Sequence, residues 1–407
     1  MPQGDMTMKG LLSAAAASLL LSAMPAAVSG AADSTPQNTV IVYTIENGEA
    51  SVQNCRETPG VLVIPDSIEG CPVTSIADDA FSGNTEISSC VIPDSVKTIG
   101  ERAFSACPAL SSVTIGSGAS KIGDYSFTAC PKLSKIEVSK KNSSYSSIDG
   151  SLYKNGSTLT VYAGGSTAAV SSAAKTIDTA AFFGRSDITS LSLPDSVTTI
   201  GDYAFSGCLS LKSVHIPDSV TKLGKGSFMS CSALVSVSLG ISLKAVPDSC
   251  FHSCTSLKNV SFPDNLISLG NEAFYSCAGI SRTYIPKSVS SIGTEAIGRR
   301  YDARNGSSEN ISGFVIKGEN GSAAQKYAEM YGIAFETGKE LLGDVNGDGM
   351  IDAVDASGVL AEYALLSSKG KGTFTEAQKK AADWNSDGMV DSVDASCILA
   401  KYAELSL

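Results

Sequence analysis

A phenylalanine returns every 23 residues through most of this chain, at Phe81, Phe104 and Phe127 and again at Phe182, Phe205, Phe228, Phe251 and Phe274. A fixed step of that size requires a stack of equivalent units, because chance would not keep Pro, Gly, Phe and Cys in phase together. Residues Leu191 to Ser213 show one unit in full, and a further step lands on Ile297, in a degraded last copy from Ile292 to Ile297. The expected fold is a β-solenoid with 23-residue repeats. At 407 residues the chain is too long for one ordinary core. A stack escapes that limit, since each unit touches only its neighbours.

Within a unit, Val113-Thr114-Ile115, Val214-His215-Ile216-Pro217 and Thr283-Tyr284-Ile285-Pro286 alternate inward and outward side chains as a half-buried strand does. The proline ends the ladder, having no N–H to donate, and the Asp after it (Asp66, Asp94, Asp195, Asp218, Asp264) starts a turn. A second apolar patch such as Val197-Thr198-Thr199-Ile200 leads to a glycine in phase six times: Gly100, Gly123, Gly201, Gly224, Gly270 and Gly293. Such a corner needs either positive φ or close backbone approach. The phenylalanine then fills the interior, and the cysteine three residues beyond it (Cys107, Cys130, Cys208, Cys231, Cys254, Cys277) stacks as a small buried side chain.

Thr39 to Ile45, Val61 to Pro65 and Val73 to Ile76 read as strands of an amino-terminal cap. The period breaks once, between Phe127 and Phe182, where strands around Asn155-Gly156 predict a hairpin. Tyr145, Tyr153 and Tyr162 there either lie exposed to grip a sugar or peptide, or pad the hairpin against the stack. Arg299 to Asn310 reads as a loop, Ile311 to Ile316 as a final strand, and Ser322 to Tyr331 as a short helix capped by Ser322.

The formal net charge is −11 with 30 Lys and Arg, which disfavours nucleic acid or an acidic membrane as partner. Residues 1–32 have the pattern of an export signal: Lys9, a small apolar run from Gly10 to Val28, and small residues from Ser29 to Ala32 for cleavage. As a retained anchor the run would be short and Ala-rich. An exported chain with eleven cysteines invites a disulfide, for which Cys55–Cys71 is the first pair to consider and Cys250–Cys254 the second. The in-phase cysteines fit buried free thiols better.

A specific chemistry is written at the carboxyl end. Residues 344–355 and 383–394 each place oxygen ligands at loop positions 1, 3, 5, 9 and 12, with glycine at 6 and a usable carbonyl at 7. The first set is Asp344, Asn346, Asp348, the Met350 carbonyl, Asp352 and Asp355; the second is Asp383, Asn385, Asp387, the Met389 carbonyl, Asp391 and Asp394. Hard, mostly carboxylate ligands predict two Ca2+ ions. Repulsion among these acids predicts that the metal-free module unfolds. His215 and His252 lie in the repeats and do not enlarge the site. A short helix follows each loop, Ala356 to Ala364 and Ala395 to Ala403, as near copies.

These loops, with aspartate rather than glutamate at position 12, resemble a type I dockerin over residues 342–407. The resemblance implies a small all-α calcium-binding module that plugs into a cohesin of a scaffoldin or cell-surface anchor. Loop positions 10 and 11 and the following helix would carry cohesin specificity, here Ala353, Val354, Leu360 and Ala361 in one copy and Ser392, Val393, Leu399 and Ala400 in the other. Many clostridial members have Ser-Thr at positions 10 and 11, so the pattern is closer to ruminococcal versions. Residues of roughly 60–335, through Ile-Pro-Asp-Ser-Val, Ile-Gly and Ala-Phe, resemble the BspA-like leucine-rich repeats.

The domains expected are a signal at 1–32, spacer and cap at 33–76, repeats at 77–298 with an insertion near 138–176, a cap at 299–335, a linker at 336–341 and the dockerin at 342–407. The implied protein is a secreted, non-catalytic cellulosomal component whose repeats bind a protein or a plant cell-wall glycan. A carbohydrate-active enzyme and a structural spacer are the alternatives. Glycoside hydrolysis needs two carboxylates facing one sugar, whereas the recurring aspartates sit at turns. Thr114, Ser192, His215, Ser238, Ser261 and Thr283 are the expected outward residues of the repeats.

Overall fold

The computed structural model describes residues 8–13, 40–56, 60–338, 343–345, 351, 353–385 and 387–405. Of the export segment only Met8–Ser13 falls among them, as a strand antiparallel to Val40–Glu46. Residues 33–39, and Asn346, Asp348, Met350 and Asp352 of the first loop, lie outside the described residues. The chain divides into two compact units, Met1–Thr283 with Ser288–Phe314, and Tyr284–Lys287 with Val315–Leu407.

In the first unit each 23-residue step supplies two short strands that join two rows of parallel pairs. One row contains Ser89–Ile92, Ser112–Ile115 and Lys135–Val138, paired as Ser89↔Ser112 and Ser112↔Lys135. The other contains Thr176–Ile177, Thr199–Ile200 and Lys222–Leu223. Partners one period apart keep the same face inward from coil to coil, so Cys90, Val113 and Ile136 are buried, as are Ile177, Ile200 and Leu223. The same register corrects one outward assignment. Thr283 is equivalent to Val214 and Val237 and is buried, its hydroxyl among the buried side-chain groups without a hydrogen-bond partner. Arg282 and Tyr284 flank it as the outward positions of that strand, since a one-residue slip exchanges the two faces.

The phenylalanines form the interior ladder. From Phe182 to Phe274 successive rings stack with centroids between 4.6 and 5.4 Å apart, close to the ~4.8 Å strand spacing that sets the coil rise. Beside them the cysteine thiols act as donors. Sγ of Cys208, Cys231, Cys254 and Cys277 donates to the phenylalanine carbonyl of the preceding coil at 3.4, 3.2, 3.2 and 3.0 Å. That carbonyl also accepts an N–H within its own coil, as Phe228 does from Cys231 at 3.3 Å. Both lone pairs of a buried carbonyl are thereby used. Burial pushes the Cys208 and Cys254 thiols well above their ordinary range.

All eleven cysteines are free, which corrects the disulfide expectation. The strands holding Cys55 and Cys71 run parallel in the register Ala50↔Val73. This sets the two cysteines on the order of 20 Å apart along the strands at ~3.3 Å per residue, far beyond a disulfide's reach of about 7 Å. Cys250 is within 3.2 Å of Ser227 Oγ, while Cys254 turns to the Phe228 carbonyl.

The in-phase glycines answer to close approach rather than to φ. A Cβ on Gly224 would stand 2.3 Å from the backbone of Gly201 and Asp202, and one on Gly270 would stand 2.4 Å from the Asp248 nitrogen. Left-handed backbone falls two residues later and on full side chains, at Arg102 (φ 53), Tyr203 (φ 53) and Glu272 (φ 53). Such a conformation costs about 1–2 kcal/mol. It aims each N–H at the next coil, where it donates to the carbonyls of Asp124, Lys225 and Thr294 at 2.8–3.0 Å.

The break in the period is a three-stranded meander, Tyr145–Ile148, Ser151–Lys154 and Thr158–Val161. Its turns lie at Asp149-Gly150 as well as at the predicted Asn155-Gly156, all four residues having positive φ. The third strand pairs in parallel with Thr176–Ile177, which builds the insertion into the stack. Tyr145, Tyr153 and Tyr162 are all buried, so the sugar-gripping alternative is corrected and padding is their role. Tyr162 stacks on Phe182 at 4.5 Å and takes a place in the ladder, while the Tyr145 hydroxyl accepts the Ile122 N–H at 3.0 Å. Arg185 clamps the junction: its buried guanidinium pairs with Asp187 and donates to the carbonyls of Tyr162 and Gly164.

Residues 299–310, expected as a loop, form a hairpin of Arg299–Asp302 and Ser307–Asn310 with ion pairs Arg300–Glu309 and Arg304–Asp302. In the second unit the expected strand at 311–316 begins only at Val315 and runs to Gly318, because Gly313 (φ 73) lies in a turn. It pairs with Ala334–Thr337 and packs against helix α1 (Ala323–Tyr331), whose Ser322 cap accepts the Gln325 N–H. Three more helices complete this unit: α2 (Ala353–Lys369), α3 (Glu376–Ala382) and α4 (Ser392–Leu405).

Candidate metal loops and docking face

The second predicted loop is bounded by α3 and α4. Thr375 and Gln378 form a reciprocal capping box that starts α3, and Asp383 caps its end. Both Asp383 oxygens then accept loop N–H groups, from Asp387 and Gly388, each at 3.0 Å. Gly388 (φ 85) makes the tight bend at position 6. Asn385 accepts from the Asp387 N–H at 2.9 Å, Asp387 from Met389 at 2.8 Å and Asp391 from Val393 at 2.7 Å. The loop's own backbone thus fixes each carboxylate's direction.

Asp394, at position 12, is fully buried. Its oxygens accept N–H groups of Trp384, Asn385 and Asp391 at 2.9, 3.3 and 3.0 Å. A buried carboxylate held only by neutral donors needs a counter-charge, and an all-oxygen loop suits a hard divalent ion. The residues present therefore fit calcium. Among the described residues no three His, Cys, Asp or Glu side chains are gathered into a group at ligating distance. The loop presents oriented ligands and no closed cage.

Asp344 and Asp355 belong to the first loop and are both buried. Asp355 accepts the Val345 N–H at 2.8 Å, as Asp394 accepts that of Trp384. The two-fold repetition extends through the small core. Val345 corresponds to Trp384, Ile351 to Val390, Ala356 to Ala395 and Val359 to Ile398, each 39 residues on, and all eight share one cluster with Phe374 and Ala382. The helices after the loops are longer than predicted and begin inside them, at position 10.

All eight expected docking residues (Ala353, Val354, Leu360, Ala361, Ser392, Val393, Leu399 and Ala400) are exposed. Val354, Leu360, Val393 and Leu399 are large apolar side chains open to solvent, as are Tyr363 and Tyr402, which sequence reasoning passed over. Their signal was present: each tyrosine follows its leucine by three residues, one helical turn on the same face. The copies differ in charge at two helix positions, Glu362 against Lys401 and Leu365 against Glu404. Glu362 is buried and accepts the Thr373 and Phe374 N–H groups at 2.7 and 3.0 Å, whereas Lys401, its counterpart, pairs with Glu404 at 2.8 Å.

Two of the recurring aspartates of the repeats act as coil-to-coil struts. Asp94 and Asp218 accept the N–H of Ser117 and Ile241, each one period on from the aspartate itself, at 2.5 and 2.9 Å. The two histidines stand apart from the loops. His215 is exposed on its strand, and His252 stacks on Tyr275 at 5.2 Å with its pKa lowered by burial.

Fold and site together define a leucine-rich-repeat solenoid bearing an EF-hand-like calcium module. The chain belongs to the BspA type leucine rich repeat family, whose repeats match residues 64–171 and 175–301 in six copies. It also carries a dockerin type I domain, matched over residues 342–402. Neither family is catalytic, dockerin type I domains bind Ca2+, and a dockerin implies a cohesin partner. The protein is a non-catalytic, secreted, cellulosome-associated scaffold. Among the described residues no helix is long and apolar enough to cross a membrane. No curated protein matches the chain.

Solved structures with a similar fold include a leucine-rich repeat protein from Eubacterium ventriosum, 19% identical, covering 63% of this chain and 91% of that one with a TM-score of 0.43. A leucine rich cell surface protein from Faecalibacterium prausnitzii is 21% identical, with coverage of 77% and 100% and a TM-score of 0.36. The pneumococcal vaccine antigen PcpA is 14% identical, with coverage of 74% and 97% and a TM-score of 0.45.

Proposed function

We propose that the dockerin holds two calcium ions, one per loop, and that both loops must be filled for it to dock on a cohesin of a scaffoldin or cell-surface anchor. The ligands would be Asp344, Asn346, Asp348, Met350, Asp352 and Asp355 in one loop and Asp383, Asn385, Asp387, Met389, Asp391 and Asp394 in the other. The 39-residue duplication of loop, core and helix carries this reading. Bound calcium supplies the counter-charge. The chain's own residues orient the carboxylates through backbone N–H groups, and position 12 ties each helix to its loop. Ala353, Val354, Leu360, Ala361, Ser392, Val393, Leu399 and Ala400, joined by Tyr363 and Tyr402, are the proposed contact surface.

The repeats, on this reading, are the working cargo: a scaffold that binds a protein or glycan while the dockerin fixes it to the assembly. The division is the one the sequence suggests: signal 1–32, spacer and cap 33–76, repeats 77–298, cap 299–335, linker 336–341 and dockerin 342–407. Equilibrium dialysis against calcium, with Trp384 fluorescence and cohesin capture followed in parallel, tests the count. Two ions per chain are expected, one for D383N, and neither ion nor capture for D344N/D383N with the repeats still folded. Full cohesin capture in excess chelator would refute the reading.

A further inference from the structure

One aromatic cluster on the first unit is neither ladder nor strut. Where the meander enters the stack, the coils carrying Phe127 and Phe182 still touch at one corner, where the Ala129 N–H donates to the Phe183 carbonyl at 2.9 Å. There the Tyr125 ring meets Phe183 edge-on, with centroids 5.5 Å apart at 88°. One coil further, the Tyr203 ring lies against Gly226, where a Cβ would come within 2.5 Å of it. Glycine at 226 leaves room for that ring. The three rings are half-buried. They lie on the coils carrying Phe127, Phe182 and Phe205, so the patch covers roughly 10 Å at ~4.8 Å per coil.

The surroundings are negative. The Tyr125 phenol is raised first by burial, then by Tyr203, Asp124, Asp202 and Glu101 around it. Glu101 is committed to Arg102, and Lys154 bears on Asp178 at the edge of the patch. Asp124 and Asp202 are exposed and make no ion pair among the described residues, although one Asp202 oxygen accepts the Lys225 N–H at 2.8 Å. Aromatic faces present negative charge, and neighbouring carboxylates reinforce it. The charge of such a surface repels an anionic ligand, adds no attraction for a neutral sugar and attracts a cation. We propose that Tyr125, Phe183 and Tyr203, rimmed by Asp124 and Asp202, form a docking face for a lysine- or arginine-bearing segment of a partner protein. This deepens the reading of the repeats as a binding scaffold and rests on it.

The test uses the full chain with calcium present and a fluorescent (Arg-Gly)6 peptide followed by anisotropy. Binding is expected in low salt and should weaken about tenfold in D124N/D202N and in Y125A/Y203A. It should fall further as added salt shortens the Debye length. D124N/D202N removes only exposed charge, so it remains readable if the tyrosine variant unfolds. Peptide binding unchanged in D124N/D202N overturns the proposal. Salt-insensitive binding of cellohexaose that Y125A/Y203A abolishes also overturns it and assigns the patch to a neutral glycan. Ligand capture by the repeats that both variants leave intact would refute this patch while sparing the scaffold reading.

Discussion

Replacing Phe228 with alanine tests the ladder where it is most regular. The ring is fully buried and stacks between Phe205 at 5.0 Å and Phe251 at 5.4 Å, within 9° of both. Truncating a buried phenylalanine costs about 3–5 kcal/mol, the upper end applying where the site cannot collapse. Collapse is resisted here because parallel pairs on both sides, Val214↔Val237 and Val237↔Val260, hold the coils at their spacing. The expected loss is therefore about 4–5 kcal/mol. Phe81 has one phenylalanine neighbour, Phe104 at 5.0 Å, so Phe81→Ala should cost about 1 kcal/mol less, the worth of one stacked pair. Urea unfolding followed by far-UV circular dichroism reads the repeats, while the single tryptophan, Trp384, reports separately on the dockerin. Equal losses at the two positions, or a loss below about 1 kcal/mol at Phe228, would show that the rings do not carry the stack.

Thiol titration of the native chain should find two fast cysteines, the half-buried Cys71 and Cys397, and all eleven after denaturation without reductant; fewer after denaturation would mean a disulfide. Gly224→Ala, which sets a Cβ 2.3 Å from backbone, should destabilise by about 3 kcal/mol or more in chemical denaturation. Gly156→Ala has open space and pays only for φ 67, about 1 kcal/mol; the reverse order would contradict the steric account. Tyr43 donates to Glu69 at 2.7 Å and has its pKa raised to about 12, the Glu69 bond contributing most. Folding therefore favours the neutral phenol. Its contribution is whole below the unfolded value of about 10 and is lost as pH rises toward 12. The stability gap between the native protein and Tyr43→Phe should close over that window, and a gap independent of pH would refute the assignment.

The stack was legible because every coil repeats one solution, so eight phenylalanines in two phased runs carry the information of one long core. What escaped were choices that a single letter does not encode. Glycine can mean positive φ or contact, and only the 2.3–2.7 Å approach at Gly201 and Gly224 decides between them. Positive φ itself fell on Arg102, Tyr203 and Glu272, because bonds to the next coil offset the strain. Alternation misplaced Thr283 by one residue, since a threonine suits either face of a strand. Tyr162 stayed open between an exposed binder and padding because its place in the ladder lies outside the 23-residue phase, and nothing local marked Arg185 as a buried clamp. In the dockerin, ligand types and spacing specified the loop, whereas the bond from Glu362 to Thr373 spans a turn that no motif describes.

The distribution of commitments within the repeats narrows where binding can occur. Their in-phase cysteines are committed to phenylalanine carbonyls, Asp94 and Asp218 to the next coil's N–H groups, and Ser111, Thr198 and Thr221 to the carbonyl one period back. A residue that supports every coil cannot change to suit a ligand without weakening all the contacts it makes. On the proposed reading of the repeats as a binding scaffold, recognition would fall on positions that vary between coils. These are the outward strand residues Ser192, His215 and Ser238, and the left-handed corner held by Arg102, Tyr125, Tyr203 and Glu272 in different coils. The corner changes from cation to aromatic to acid while its backbone stays fixed. At Arg102, Tyr203 and Glu272 the N–H holds the coils together, which leaves the side chain free to vary, and Arg102 uses its own to grip Asp79 of the preceding coil at 2.9 and 3.0 Å.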